Sequence, residues 1–317
     1  MSALTAAVVA AVSLILVLLI VTFAVSVYFF RLTVLRKPTA TMEKNINANT
    51  DWSKHIPFLE ERKKWLNEQE TEDVYVTSDD NLRLHGTLLE CGSRKNCVIC
   101  FHGYTSKGTN DFGAISKFYN SKNFNVIMVD ERSHGDSEGK YIGFGVLDRM
   151  DALKWIEFAR SRFGTDVNIF LHGISMGAST VLMTSGLDLP QNVKAIVADC
   201  GFTNAYDVFS HILKRDYHIP KFPLMKITEI MTRKTAGYGY NDVSTLNEVA
   251  KTNVPILFIH GKKDDFVPVW MSEKNFAACN SPKELIIFDN ADHAESYFAY
   301  TDAYEKALSK YIDKYAV

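Results

Sequence analysis

The sequence predicts an α/β protein with a mostly parallel sheet, preceded by one N-terminal transmembrane helix. Three observations lead there. From residue 73 onward, short apolar runs alternate with longer stretches of helical periodicity, the pattern that crossover connections between parallel strands produce. Residues 1–30 carry no charged side chain. Finally, residues 201–253 form a connection rich in Phe, Tyr, Ile, Leu and Met, too long to be structureless in a compact domain.

The N-terminal segment comes first. Residues 14–27 (LILVLLIVTFAVSV) are almost wholly apolar. As a helix, residues 3–30 span roughly 42 Å at about 1.5 Å per residue, more than the roughly 30 Å hydrocarbon core needs. A cleaved leader has a basic start and a shorter apolar run. Here the basic residues Arg31, Arg36 and Lys37 come after the span. Residues 1–30 are therefore expected to be a retained anchor in the cell membrane. The basic flank after an uncharged start predicts that the rest of the chain faces the cytoplasm. Five cysteines without framework spacing fit a reducing compartment.

Residues 31–70 are polar and mixed in charge, and read as a stalk turning into a docking helix around 58–68. The main domain is expected over 71–317. Strand-like runs fall at 73–77, 82–89, 96–101, 125–129, 167–171, 193–198, 254–259 and 284–288. The first two flank Ser78-Asp79-Asp80-Asn81 and read as a hairpin. Helical periodicity is clearest at 144–163 and 294–315. Cys97 and Cys100 fall in one strand at i and i+3, facing opposite sides, which makes them core thiols. The long connection at 201–253, broken by Pro220 and Pro223, is expected to be a helical insertion over the sheet, a candidate lid.

A net charge of −2 without a basic stripe excludes nucleic acid as a partner. No His/Cys/Asp group has metal-ligand spacing, and no Gly-rich loop follows the first strand in dinucleotide fashion. No cofactor or metal is expected. What remains is FLHGISMGAST, residues 170–180. It places Ser175 at a strand-to-helix turn between Gly173 and Gly177. A nucleophile on so sharp a turn has a strained backbone, and residues two before and two after it must be small for strand and helix to approach. A serine hydroxyl also needs a base, and the base an orienting acid. FIHGKKDDFVP closes a later strand and offers Asp264 and Asp265; LIIFDNADHAES closes the next and offers His293. The order Ser, Asp, His, each after a strand, makes Ser175 the nucleophile and His293 its base.

With FHGYTS, DERSHGDSEGK, HGISMG, HGKKDDFVP and ADHAES in place, the chain resembles the α/β-hydrolase superfamily from residue 73 to the C-terminus. It is similar to the branch of small carboxylesterases, feruloyl-type esterases and serine-aminopeptidase-like enzymes, and to membrane-anchored bacterial members. The resemblance implies an eight-stranded, mostly parallel sheet with flanking helices and a helical cap. It assigns the triad acid to Asp264 and the oxyanion-hole amides to Tyr104 and Met176. His102 then holds the loop of Tyr104, and His134 braces the loop after the fourth strand, where Ser133 stands in place of the family's usual Gly. His172 and His260 read as core or supporting groups. Phe202, Phe209, Leu213 and Phe222, with other apolar cap residues, are too many to leave in water and are expected to line the substrate pocket.

The reaction implied is acyl transfer by a carboxylic ester hydrolase on a small-molecule or lipid-like ester. The alternatives are a serine-aminopeptidase-like peptidase, which needs a carboxylate for the substrate's free amine, and a non-catalytic binding protein on the same scaffold.

Overall fold

A computed structural model describes residues 2–37 and 52–316 of the chain. Its centre is one eight-stranded sheet in the order β1-β2-β4-β3-β5-β6-β7-β8. The strands are β1 (Thr71–Thr77), β2 (Arg83–Leu89), β3 (Asn96–Phe101), β4 (Phe124–Val129), β5 (Asn168–Ile174), β6 (Val193–Asp199), β7 (Ile256–Gly261) and β8 (Lys283–Phe288). β1 and β2 form an antiparallel hairpin, β2 joins β4 antiparallel, and all further pairings are parallel. Buried on both faces, the central strands are continuous apolar runs rather than alternating ones.

Two cores follow from the period of two along each strand. On one face, α3 (Gly108–Ser121) and α11 (Thr301–Tyr315) pack on Val98, Cys100, Met128 and Phe170. On the other, α4 (Asp148–Phe163) and α5 (Met176–Thr184) pack on Cys97, Ile99, Ile127 and Leu171. Cys97 and Cys100 thus serve opposite cores. Helix α2 (Ile56–Asn67) docks on the first face through Leu66, with Phe58 and Trp65 beside it.

A third cluster lies over the carboxyl ends of the strands. It joins α6 (Ala205–Tyr217) and α7 (Leu224–Ala236), the two cap helices, to Met176, Phe144 and the end of α1 (Ala3–Thr33). The short α8 (Thr245–Val249) closes the insertion and packs beneath the sheet's other face through Val249.

Three boundaries differ from the sequence reading. The N-terminal helix does not give way to a stalk at residue 31. It runs to Thr33, Val34 is fully buried, and the following residues join the main domain. The Arg36 amide donates to the Lys140 carbonyl (2.9 Å), and the Ile142 amide to that of Val34 (2.8 Å). The Arg36 guanidinium donates to the carbonyls of Ser137 and Gly135. The part of the expected stalk at residues 38–51 lies outside the described residues.

The helix expected from residue 144 starts at Asp148, because Phe144 and Gly145 have positive φ (+50° and +84°) and the Asp148 carboxylate accepts the Gly145 amide. The helix expected over 294–315 is split into α10 (Ser296–Ala299) and α11. Tyr300 breaks it, its ring stacked on Phe288 and its hydroxyl accepting the Asn290 amide. α9 (Trp270–Ala278) lies between β7 and β8.

Candidate active site

Ser175 ends the loop-free passage from β5 into α5, and its backbone is strained: φ is +55° and ψ −111°. A Cβ at Gly173 would fall on the Gly177 carbonyl, and one at Gly177 on the carbonyls of Phe101 and His102. Strand, helix and neighbouring strand touch here through backbone alone, which is why both positions are glycine. The Ser175 amide is fixed to the Asp199 carbonyl at 2.8 Å.

Ser175 Oγ lies 2.9 Å from His293 Nε2, and His293 Nδ1 lies 2.7 Å from Asp264 Oδ2. With Nδ1–H donated to the carboxylate, Nε2 is the acceptor facing the serine. The other Asp264 oxygen accepts the amides of Phe266 (3.0 Å) and Val267 (2.8 Å). Burial opposes the charge on Asp264. The adjacent His293 and His260 outweigh it and hold the carboxyl well below the usual carboxylate range.

His260 is itself fixed on both sides. Its Nε2 donates to the Val267 carbonyl (2.8 Å) and lies 3.1 Å from Asp264 Oδ2, while its Nδ1 meets the Ser272 hydroxyl at 2.7 Å. Asp265 points elsewhere: Arg215 of α6 donates to its carboxylate at 3.0 Å, and His211 Nε2 donates to its carbonyl at 2.7 Å. The two aspartates that the sequence offers side by side are thus separated by geometry, one meeting the histidine and the other the cap.

The amides of Tyr104 and Met176 make no hydrogen bond within the described residues. Met176 opens α5, where first-turn amides have no partner inside the helix and the helix dipole is positive. The loop of Tyr104 is held by groups around it. Asp111 accepts the Gly103 amide (2.7 Å) and the Ser106 hydroxyl (2.5 Å). His102 Nε2 accepts the Glu131 amide at 3.0 Å, and His134 Nε2 accepts the Thr105 amide at 3.3 Å. Burial, with His102 alongside, lowers His134 to about 3, so it stays a neutral acceptor. Ser133 occupies the left-handed region (φ +64°), the conformation for which a glycine is the cheaper residue.

His172 lies in the core between the hydroxyls of Tyr119 (2.8 Å) and Tyr304 (3.1 Å), where burial lowers it to about 3. Asp111 escaped the sequence reading. Its only signal was an acid in the first turn of the helix after the His-Gly loop.

Phe202, Phe209 and Leu213 are buried in the cluster that contains Met176. Phe222 is not: it is 74% exposed, in the connection between α6 and α7. Its expected place in the pocket is corrected, because the connection turns this ring outward while Leu224 and Met225 turn in. A second residue set was missed entirely. Phe29 and Phe30 of α1 are buried in the same cluster, Phe29 edge-on to Phe209 at 6.2 Å, and the Tyr104 hydroxyl donates to the Leu32 carbonyl at 2.9 Å. Ser175 and His293 are only 6% and 3% exposed beneath this roof.

Among the described residues, two donor groups are compact enough to surround an ion, Cys200/Asp264/His293 and His85/Asp130/Asp136. In both, the histidine is already hydrogen-bonded to the aspartate, at 2.7 and 2.8 Å.

The prolyl oligopeptidase family pattern matches residues 111–316, well over half of the chain and all of the Ser175–Asp264–His293 region. The chain belongs to the prolyl oligopeptidase family. It is 31% identical over 218 residues to the protein YqkD of Bacillus subtilis (strain 168), covering 69% of this chain and 71% of that one. Among solved structures it is similar to the Pyrococcus furiosus esterase Pf2001, with TM-score 0.66, 23% identity, and coverage of 80% of this chain and 94% of the esterase. It is also similar to an acylaminoacyl peptidase bound to Z-Gly-Gly-Phe-chloromethyl ketone, with TM-score 0.58 and 18% identity, over 78% of this chain and 42% of the peptidase. These structural likenesses are likenesses of fold, and the fold is that of the α/β hydrolases. As a prolyl oligopeptidase family member on that fold, the chain is a hydrolase.

Proposed function

We propose that the chain is a membrane-anchored serine hydrolase that cleaves carboxylic esters through Ser175, His293 and Asp264. The observation that carries this reading is the unbroken relay from Ser175 Oγ to His293 Nε2 (2.9 Å) and from His293 Nδ1 to Asp264 Oδ2 (2.7 Å). Ser175 Oγ attacks the ester carbonyl while His293 Nε2 takes its proton. The Tyr104 and Met176 amides receive the developing oxyanion, a contribution of about 3–4 kcal/mol per preorganised donor. His293 then gives the proton to the leaving alcohol, and a water activated by the same nitrogen releases the acid from the acyl-enzyme. Phe202, Phe209 and Leu213 form the apolar wall beside the acyl group.

Membership of the prolyl oligopeptidase family favours a second reading, hydrolysis of a peptide bond; its serine-aminopeptidase-like form takes a substrate with a free amino terminus. Such a substrate needs a carboxylate at the site. Asp265, the exposed acid beside the triad, is already paired with Arg215, which supports the ester reading. A panel of p-nitrophenyl esters and aminoacyl p-nitroanilides, offered to the full chain in detergent, decides. Turnover of the esters with little or none of the anilides is expected, and the reverse preference would replace the ester assignment by the peptidase one. The anchor is α1, the one helix among the described residues long and apolar enough to cross a membrane. Arg31, Arg36 and Lys37 behind it favour a cytoplasmic catalytic domain.

A further inference from the structure

We infer that the outer face of the cap hairpin, α6–α7, is a docking surface for an anionic lipid bilayer. The inference rests on the reading of α1 as a membrane span, and four observations carry it.

The first is length. Residues 3–21 of α1 are exposed throughout, and from residue 22 the helix begins to be covered. Nineteen residues rise about 28 Å, close to the roughly 30 Å of a hydrocarbon core. The membrane surface therefore falls where α1 reaches the protein. What it reaches is the cap: α1 runs against α7, and Phe29 sets its ring edge-on to Tyr217, the last residue of α6. The cap is pinned at headgroup level by the anchor itself.

The second is apolar exposure. Outside α1, Phe222 is the most exposed large apolar side chain among the described residues, at 74%. Tyr217 and Ile230, at 43% and 44%, flank it on the same hairpin. None of the three belongs to the core cluster under the cap, and the opposite face of the hairpin (Phe209, Leu213, Leu224, Met225) forms the roof of the active site.

The third is charge. Residues 205–236 hold six basic and three acidic side chains in a chain whose net charge is −2. Arg215 pairs with Asp216 and Asp265, Arg233 with Asp242 and Glu229, and Lys226 with Glu229, so the surplus of positive charge rests on three lysines. The exposed Lys214, Lys221 and Lys234 have no carboxylate partner among the described residues. The fourth is order along the chain. Lys221-Phe222 and, one turn apart on α7, Lys226, Ile230 and Arg233 alternate cation with apolar group. That is the composition of a helix lying in a membrane interface, and anionic headgroups are its complement.

The test uses the full chain in vesicles of phosphatidylcholine, with or without phosphatidylglycerol. A polarity-sensitive dye is attached at Phe222→Cys or, as a control at the far end of the sheet, at Arg94→Cys; labelled wild type corrects for native thiols. Nitroxide-headgroup lipid should shift and quench the dye at position 222 but not at 94. The quenching should be stronger with phosphatidylglycerol and weaker after Lys221→Glu/Lys226→Glu. Equal signals at 222 and 94 in a chain that resists carbonate extraction would overturn the docking surface and leave the anchor standing. Release by carbonate would overturn both. Quenching indifferent to phosphatidylglycerol would overturn the anionic-lipid assignment. Disulfide-linked dimers of the unlabelled Phe222→Cys chain, with no lipid quenching of the labelled one, would give the face to a second copy of the chain instead.

Discussion

At the scale of single residues, the proposed triad is one hydrogen-bonded unit, so removal of either Ser175 or His293 is expected to remove the chemistry of both. Ser175→Ala and His293→Ala are each expected to lower kcat/KM for p-nitrophenyl esters by on the order of 10⁴-fold or more, with the far-ultraviolet spectrum unchanged. Asp264→Asn should come close to them, and Asp265→Asn should lose less than about tenfold, because its carboxylate meets Arg215 rather than His293. The opposite ranking of the two aspartates would refute the acid assignment.

A second residue gives a pH signature. Asp199 accepts the Tyr304 hydroxyl with one oxygen and leaves the other buried without a partner. Burial pushes its carboxyl up to about 6, above the roughly 3.9 of an unfolded chain. The folded state therefore binds this proton more tightly. The stability that Asp199 confers is complete below about pH 4 and is lost as pH rises through about 6. Asp199→Asn is expected to melt higher than wild type at neutral pH, with the gain fading toward pH 4; a melting difference that does not change with pH would contradict this account.

At the scale of elements, two contacts decide the architecture of the site. Gly177→Ala puts a methyl group into the Phe101 carbonyl, where only backbone could move. Loss of soluble folded protein, or a destabilisation of several kcal/mol, is expected. The end of α1 is the other contact. A chain lacking residues 2–21 should melt like the full chain, whereas one lacking residues 2–34 loses buried Phe29, Phe30 and Val34. At about 1.5–3 kcal/mol for each such side chain, and about 2–4 °C per kcal/mol in a domain of this size, the melting temperature should fall by roughly 10 °C or more. Equal melting of the two shortened chains would show that the helix end is a tether only.

The same elements show how far the sequence could be read. The strands, the turn at Ser175 and the separation of Cys97 from Cys100 were legible because period and glycine spacing are local signals. The docking of α1 was not. Its apolar residues satisfy a membrane and a protein core equally well, and nothing local distinguishes Phe29, which is buried in the cap cluster, from Phe23, which is exposed. Phe222 failed for a related reason: apolar content says that a segment must bury surface, and not which of its side chains turns outward.

At the scale of the whole molecule, α1, the cap and the turn at Ser175 form one continuous body: α1 packs on α7, Tyr104 bonds to Leu32, and Met176 shares a cluster with Phe29 and Phe209. The basic flank predicts that this body faces the cytoplasm. Protease added to intact cells should leave residues 71–317 uncut, and digestion there without lysis would reverse the orientation. The proposed chemistry centres on Ser175 as a nucleophile activated by His293. A fluorophosphonate probe on the full chain, followed by peptide mapping, tests it directly. A single phosphonylated residue, Ser175, is expected, with labelling lost in His293→Ala. An unlabelled wild-type chain across neutral pH, or a label on another residue that survives Ser175→Ala, would contradict it.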